Sequence, residues 1–250
     1  MMKKFLHLVA GVALLAACGD STGPNGATRV SLSFSSAPSA QPSVAPSLSV
    51  MAADTMSDGQ NELVLSSVEI VLREIELKRV EVVDCDVVPE PDGCEKFETG
   101  PMLVTVPLDG GTSQAVSIDM QPGQYDEVEF DIHKVSNGDP EDAAFRTAHP
   151  DLIDTSVRVQ GSYNGAAFTY VTDLMDEQKY DLIPALAIDD GTTTANVTLH
   201  LDISSWFVDA AGDLVDPDSA NKGGQNENLV KDNIRASIDA YEDSDGNGLR

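Results

Sequence analysis

Between residues 29 and 203 the chain divides into short runs in which apolar and polar residues alternate, and almost every run ends in a turn signal. Period-2 alternation places successive side chains on opposite faces, as in a strand with one face buried. Residues 29–34 show it plainly, with Val30, Leu32 and Phe34 in one phase and Ser31 and Ser33 in the other. Residues 114–120 repeat it through Val116 and Ile118, residues 125–135 through Val128, Phe130 and Ile132, and residues 195–203 through Val197, Leu199 and Leu201. Asn164-Gly165 joins residues 154–164 to residues 166–172, and Asn-Gly is a strong hairpin signal. Residues 102–108 form a further strand, ended by Asp109-Gly110-Gly111. In residues 180–188 Pro184 interrupts the pattern, which puts that strand at an edge or a bulge. Residues 136–153 read as a loop with one helical turn near Pro140 to Phe145. So many short strands with regular turns predict two packed sheets.

Residues 63–83 are the longest apolar-patterned stretch. Val64, Val68, Ile70 and Leu72 share a phase, Ile75 and Leu77 take the other, and Val80 and Val82 return to the first. A helix competes, because Val68, Leu72 and Ile75 also fit a 3.6 period. The β-branched content and the lack of a cap favour strand, with bulges or a turn near Arg73-Glu74 and Lys78-Arg79. Residues 35–61, with Pro38, Pro42 and Pro46, read as a long mobile insertion, too proline-rich for a helix and too polar for a core strand.

Pro122-Gly123-Gln124-Tyr125 supplies a fixed φ, then a positive φ, then the start of a strand. This turn resembles one common in immunoglobulin-like and transthyretin-like β-sandwiches, so the expected fold is mainly β, a sandwich of that kind. Near the C-terminus, Trp206-Phe207-Val208 reads as a helical turn packing the only tryptophan. Residues 226–241 follow as an α-helix lying on the sandwich, with Val230, Ile234, Ile238 and Tyr241 on one face and an asparagine cap.

Two lysines, Lys3 and Lys4, precede an apolar run over residues 5–17, and the run ends in Leu15-Ala16-Ala17-Cys18. Thirteen residues fall short of the roughly 20 that a bilayer needs. The layout is that of an export signal. It resembles the lipobox of bacterial lipoproteins, which implies cleavage after residue 17, acylation of Cys18 and attachment to a membrane. Residues 28–248 also resemble a group of bacterial lipoproteins, on Gly100-Pro101, Val106-Pro107-Leu108, the Pro122 to Tyr125 turn, Trp206-Phe207 and the helix that runs into an acidic tail. That resemblance implies fold and location only. The expected plan is a signal peptide (1–17), a flexible tether (18–28), a single β-sandwich domain (29–241) and an acidic tail (242–250). The expected location is the cell envelope, with the lipid in the outer membrane.

The chain carries 42 acidic against 15 basic residues, a formal charge of −27. Such a surface repels nucleic acid and anionic headgroups, which excludes nucleic-acid binding. The three cysteines are Cys18, Cys85 and Cys94. With Cys18 taken by lipid in an oxidising compartment, Cys85 and Cys94 pair by count, and their short loop gives roughly 2.5–3 kcal/mol at most.

The G-x-S-x-G match at Gly19-Asp20-Ser21-Thr22-Gly23 falls in the polar tether and not between a strand and a helix, and no phosphate-binding loop or paired-histidine motif occurs. His133 and His200 lie singly within strands and read as polar strand positions. The site-like motif is the tail, where Asp243, Asp245 and Asn247 followed by Gly248 match the first half of a calcium loop. The glutamate of loop position 12 has no counterpart before Arg250, and the alternative is a frayed acidic end. The expected function is binding or scaffolding by a lipid-anchored envelope protein, without a catalytic site, acting on an envelope protein or glycan. The alternatives are a calcium-dependent or carbohydrate-binding surface module and an envelope hydrolase.

Overall fold

The structure, a computed structural model, describes residues 28–36, 49–52, 55–80, 95–97, 100–189, 192 and 194–248. Cys18, Cys85 and Cys94 lie outside the described residues. In chain order the elements are β1 (Thr28–Ser35), β2 (Ser49–Ala52), β3 (Thr55–Ser57), β4 (Glu62–Arg79), β5 (Glu95–Phe97), β6 (Met102–Thr105), β7 (Thr112–Met120) and β8 (Gly123–Ile132). There follow α1 (Ala143–Ala148), β9 (Val157–Tyr163), β10 (Ala166–Thr172), β11 (Asp176–Ile188), β12 (Thr194–Leu201), α2 (Glu227–Ala236) and β13 (Ile238–Glu242).

The strands form two packed sheets, not a barrel. The smaller has the order β13-β12-β1-β7, with β1 parallel to β12 and antiparallel to β7. The larger is built around β4, which pairs with β3, β5, β6, β8 and β9. Strand β4 is 18 residues long. Its register shifts at Leu65/Ser67, Arg73/Glu76 and Lys78/Arg79, and Glu74 takes a φ of 53°. Each bulge reverses which side chains face inward. That is why Ile70 and Leu72 share a phase that Ile75 and Leu77 have left. Val71, of opposite parity, is also buried, in a satellite cluster with Val135, Phe145 and Leu152.

Val30, Leu32 and Phe34 of β1 and Val197, Leu199 and Leu201 of β12 join the main core with the inner faces of β4, β8, β9 and β11. Tyr125 is fully buried, and its hydroxyl donates to the Gln121 carbonyl at 2.9 Å. Arg79 reaches the same corner, donating to the Tyr125 hydroxyl and to the Pro122 carbonyl. At the other end of the sheet, the Asn221 carboxamide accepts from the Val171 N–H (2.9 Å) and donates to the Thr169 carbonyl (3.3 Å). It pairs the edge of β10 as a strand would, and so blunts that edge.

Several expectations are corrected. Gly123 has no positive φ and opens β8 directly, so Pro122-Gly123 is not the type II turn expected. Ahead of the Leu65/Ser67 bulge it is Leu63 and Leu65, not Val64, that face the core. The helix expected over residues 226–241 ends at Ala236, and Ile238–Glu242 is a strand paired with β12. Within the expected insertion over residues 35–61, β2 and β3 pair with each other, β3 continues the large sheet onto β4, and Met56 is buried in the core. Residues 37–48 and 53–54 of that segment lie outside the described residues.

On the face of the large sheet, Lys78 of β4 pairs with Glu129 of β8 at 2.6 Å, and Glu129 pairs with Lys179 of β11 at 2.7 Å. Burial pushes the Glu129 carboxyl up, but hydrogen bonds with Glu177, Lys179 and Lys78 outweigh it and hold the pKa below the ordinary glutamate range. A folded pKa below the unfolded one gives stability that is present above the unfolded pKa and lost as pH falls through the folded one. Stability should therefore drop below about pH 4.3, the unperturbed glutamate value. Glu129→Gln should flatten that part of the curve, read as melting temperature between neutral pH and strong acid. An unchanged slope would show that the ladder contributes nothing.

Candidate functional site

Two places collect polar chemistry among the described residues. The first is the turn that follows β13. The Asp243 N–H donates to the Asn196 carbonyl at 3.0 Å, which carries the β12–β13 ladder one residue further. The Asp243 side chain is only 3% exposed. Its Oδ2 accepts from Thr198 Oγ1 and from the Gly248 N–H, both at 2.8 Å, and its Oδ1 accepts from the Asn247 N–H at 3.2 Å. Burial raises the Asp243 pKa, and these donors together with Asp245 more than reverse it, so the carboxyl titrates below its ordinary range. Gly246 and Gly248 have φ of 66° and 74°, a region that glycine tolerates best.

The turn is stitched to the small sheet rather than frayed. Thr112 Oγ1 donates to the Gly246 carbonyl at 3.1 Å, and the Tyr241 hydroxyl donates to the Gly248 carbonyl at 2.5 Å. A Cβ on Gly248 would lie 2.5 Å from the Thr112 methyl. Asp243, Asp245 and Asn247 are thus brought together in one turn, with the Asn247 Nδ2 donating to Asp245 Oδ2 at 2.7 Å. Because α2 has already ended at Ala236, the acidic turn follows a strand and not a helix. Three side chains supply fewer oxygens than the six to eight that calcium takes.

The second place is the loop after β8. The His133 N–H donates to the Val71 carbonyl, which extends the β4–β8 pairing past Ile132. The chain then turns at Ser136 to Pro140 and returns in α1. His133 Nε2 lies 2.8 Å from Asp142 Oδ1, and Asp142 Oδ2 accepts from the Ser136 N–H. Both side chains are buried, Asp142 completely. Asp139 Oδ1 accepts from the Glu141 N–H at 2.9 Å, and Oδ2 lies 3.3 Å from Arg73 Nη1. Arg146 donates to the Ser136 and Asp139 carbonyls, which fixes the loop from the α1 side. An open cavity of about 480 Å³ lies over this loop, lined by Arg73, His133, Lys134, Ser136, Asp139 and Met175 among others. Met175 is 59% exposed at its rim.

His133 is thus a partnered histidine and not an isolated polar strand position. The signal for it is the spacing from His133 to Asp139 to Asp142, folded back by the Gly138-Asp139-Pro140 turn. His200, by contrast, sits in β12 with Nδ1 3.1 Å from Ser35 Oγ, and burial pushes its pKa down.

Comparison of the chain with protein-family models, with curated proteins and with solved structures gave no match.

Proposed function

We propose that this chain is a lipid-anchored cell-envelope protein of binding or scaffolding type, exported by residues 1–17 and acylated at Cys18. The observation that carries this reading is the sequence Leu15-Ala16-Ala17-Cys18 behind a short apolar run with two leading lysines. The position of β1 agrees with it. That strand begins at Thr28, ten residues beyond Cys18. A tether of that length spans at most about 35 Å, so the sandwich would be held close to the bilayer. Stable anchoring takes more than one acyl chain, at about 0.8 kcal/mol for each buried CH₂. An immunoglobulin-like or transthyretin-like affiliation is supported by the Tyr125 corner, whose hydroxyl bonds back to the backbone before the strand. The partner is an envelope protein or a glycan. Metabolic labelling with a fatty acid tests the anchor. The parent should carry label and fractionate with membranes, and Cys18→Ala should do neither. Equal label in the two would overturn the reading.

A second reading, calcium binding by the C-terminal turn, is favoured by one observation. Asp243 gathers the N–H groups of Asn247 and Gly248 in a turn with two positive-φ glycines, leaving Asp245 beside it on the surface. Millimolar Ca²⁺ should then raise the melting temperature, Mg²⁺ should do much less, and Asp245→Asn should remove the rise. Absence of any rise in the parent would leave the turn a purely structural clasp.

A further inference from the structure

We propose that His133, Asp139 and Asp142 form a binding site for one divalent transition-metal ion of the manganese-to-zinc series. One ligand atom from each lies within 4.8 Å of the others. His133 Nε2 and Asp142 Oδ1 are 2.8 Å apart. Two donors that share a metal at about 2.0–2.2 Å from each lie on the order of 3 Å apart when they occupy adjacent positions. A metal ion can take the place of this contact without moving either side chain far.

The groups around the pair hold it in place. The Ser136 N–H fixes Asp142 Oδ2 and the Glu141 N–H fixes Asp139 Oδ1. Arg73 touches Asp139 Oδ2. A carboxylate oxygen has two lone pairs, so these bonds orient the ligands and leave acceptor capacity on each. His133 and Asp139 line the cavity, which gives entry for the ion and room for waters on that side, while Asp142 is buried behind them.

Charge is a second, independent argument. Arg73 faces four carboxylates, Glu74, Asp131, Asp139 and Glu141, at 3.3 to 3.8 Å, and buried Asp142 is a fifth. Lys134 and Arg146 are the other cations at the loop. Five carboxylates against three cations leave a deficit that a dication cancels. One imidazole with two carboxylates is a mixed donor set, borderline in softness, which favours manganese to zinc over calcium. The C-terminal turn offers only oxygen.

Cobalt(II) is the probe, because its visible absorption reports coordination. Full-length protein in detergent, first stripped with chelator, should bind one equivalent of Co²⁺ with a new visible band, and Zn²⁺ should displace it. Asp139→Asn and His133→Gln should each weaken binding about tenfold or more, by the scale of ligand-shell mutations. Asp245→Asn in the tail should not weaken it. Circular dichroism confirms that each variant is folded, and if His133→Gln fails to fold, the half-exposed Asp139→Asn decides alone. No band in the parent, or a band of unchanged affinity in Asp139→Asn, overturns the proposal.

Discussion

Trp206→Ala is expected to lower stability by about 3–5 kcal/mol, the range for deleting a buried aromatic side chain. The indole is fully buried, and its Nε1 donates to Ser237 Oγ at 2.7 Å. Ser237 Oγ in turn donates to the Ile234 carbonyl at 2.8 Å, so the ring ties the end of α2 to the core. Asn233 of α2 donates to the carbonyls of both Trp206 and Val208. The next residue, Phe207, meets the Tyr170 ring edge-on at a centroid distance of 5.3 Å. Removing the indole opens a cavity where α2 and the large sheet meet and leaves Ser237 without its donor. Urea denaturation followed by circular dichroism reads the loss directly. A change within about 0.5 kcal/mol, the scale of a surface substitution, would contradict this packing.

Gly161→Ala is the second large effect, and its cause is different. Gly161 of β9 pairs with Leu65 of β4, next to the Leu65/Ser67 bulge. A Cβ there would lie 2.0 Å from the Val64 carbonyl oxygen and 3.0 Å from the Phe168 ring. The obstacle is backbone, so no rotamer change relieves it. Strands β4 and β9 must separate locally and lose ladder bonds. Overpacking typically costs about 1–3 kcal/mol and occasionally more, and this contact belongs at the top of that range. Gly165→Ala in the adjacent hairpin provides the comparison. Gly165 has a φ of 79° but nothing within 4 Å of its Cβ, so it should lose only the strain of alanine at a positive φ, about 1–2 kcal/mol, with no steric clash added. Thermal melts of the two variants side by side should separate them clearly. Equal losses would mean that the close approach of Gly161 to β4 is not a constraint.

The contrast between these positions shows what a linear reading reveals. Alternation in β1, β7 and β12, and the Asn164-Gly165 turn, are local signals, and the structure follows them. The slips in β4 at Arg73/Glu76 and Lys78/Arg79 were legible for the same reason, since a bulge shifts parity within a few residues, but the slip at Leu65/Ser67 was not, and it puts Leu63 and Leu65 in the core where Val64 was expected. Strand β13 was not. Ile238 and Tyr241 continue the helical spacing of Val230 and Ile234, but β12 offers an edge, and five residues pair with it instead. Tertiary pairing overrode a valid local period. Met56 likewise lies in a segment whose composition is polar, and only its placement beside Leu63 makes it core. In the tail, the grouping of Asp243, Asp245 and Asn247 was visible as a motif. Its burial was not, because Thr198, Ser35 and Thr112 come from distant parts of the sequence. In the sequence His133 and Asp142 each fit a bland local role, and the Gly138-Asp139-Pro140 turn between them is the signal that they can meet. Only the fold of the intervening loop makes them a pair.

Lipid attachment at Cys18 decides where this chain acts, and the chemistry of the mature N-terminus tests it most directly. Protein recovered from the membrane fraction can be digested with trypsin and its N-terminal peptide identified by mass spectrometry. Cleavage before Cys18 predicts a peptide running from Cys18 to Arg29, with acyl chains on both the thiol side and the amine of Cys18. A peptide that instead begins at Phe5, with an unmodified Cys18, would contradict the claim that this sandwich is held in the envelope by lipid.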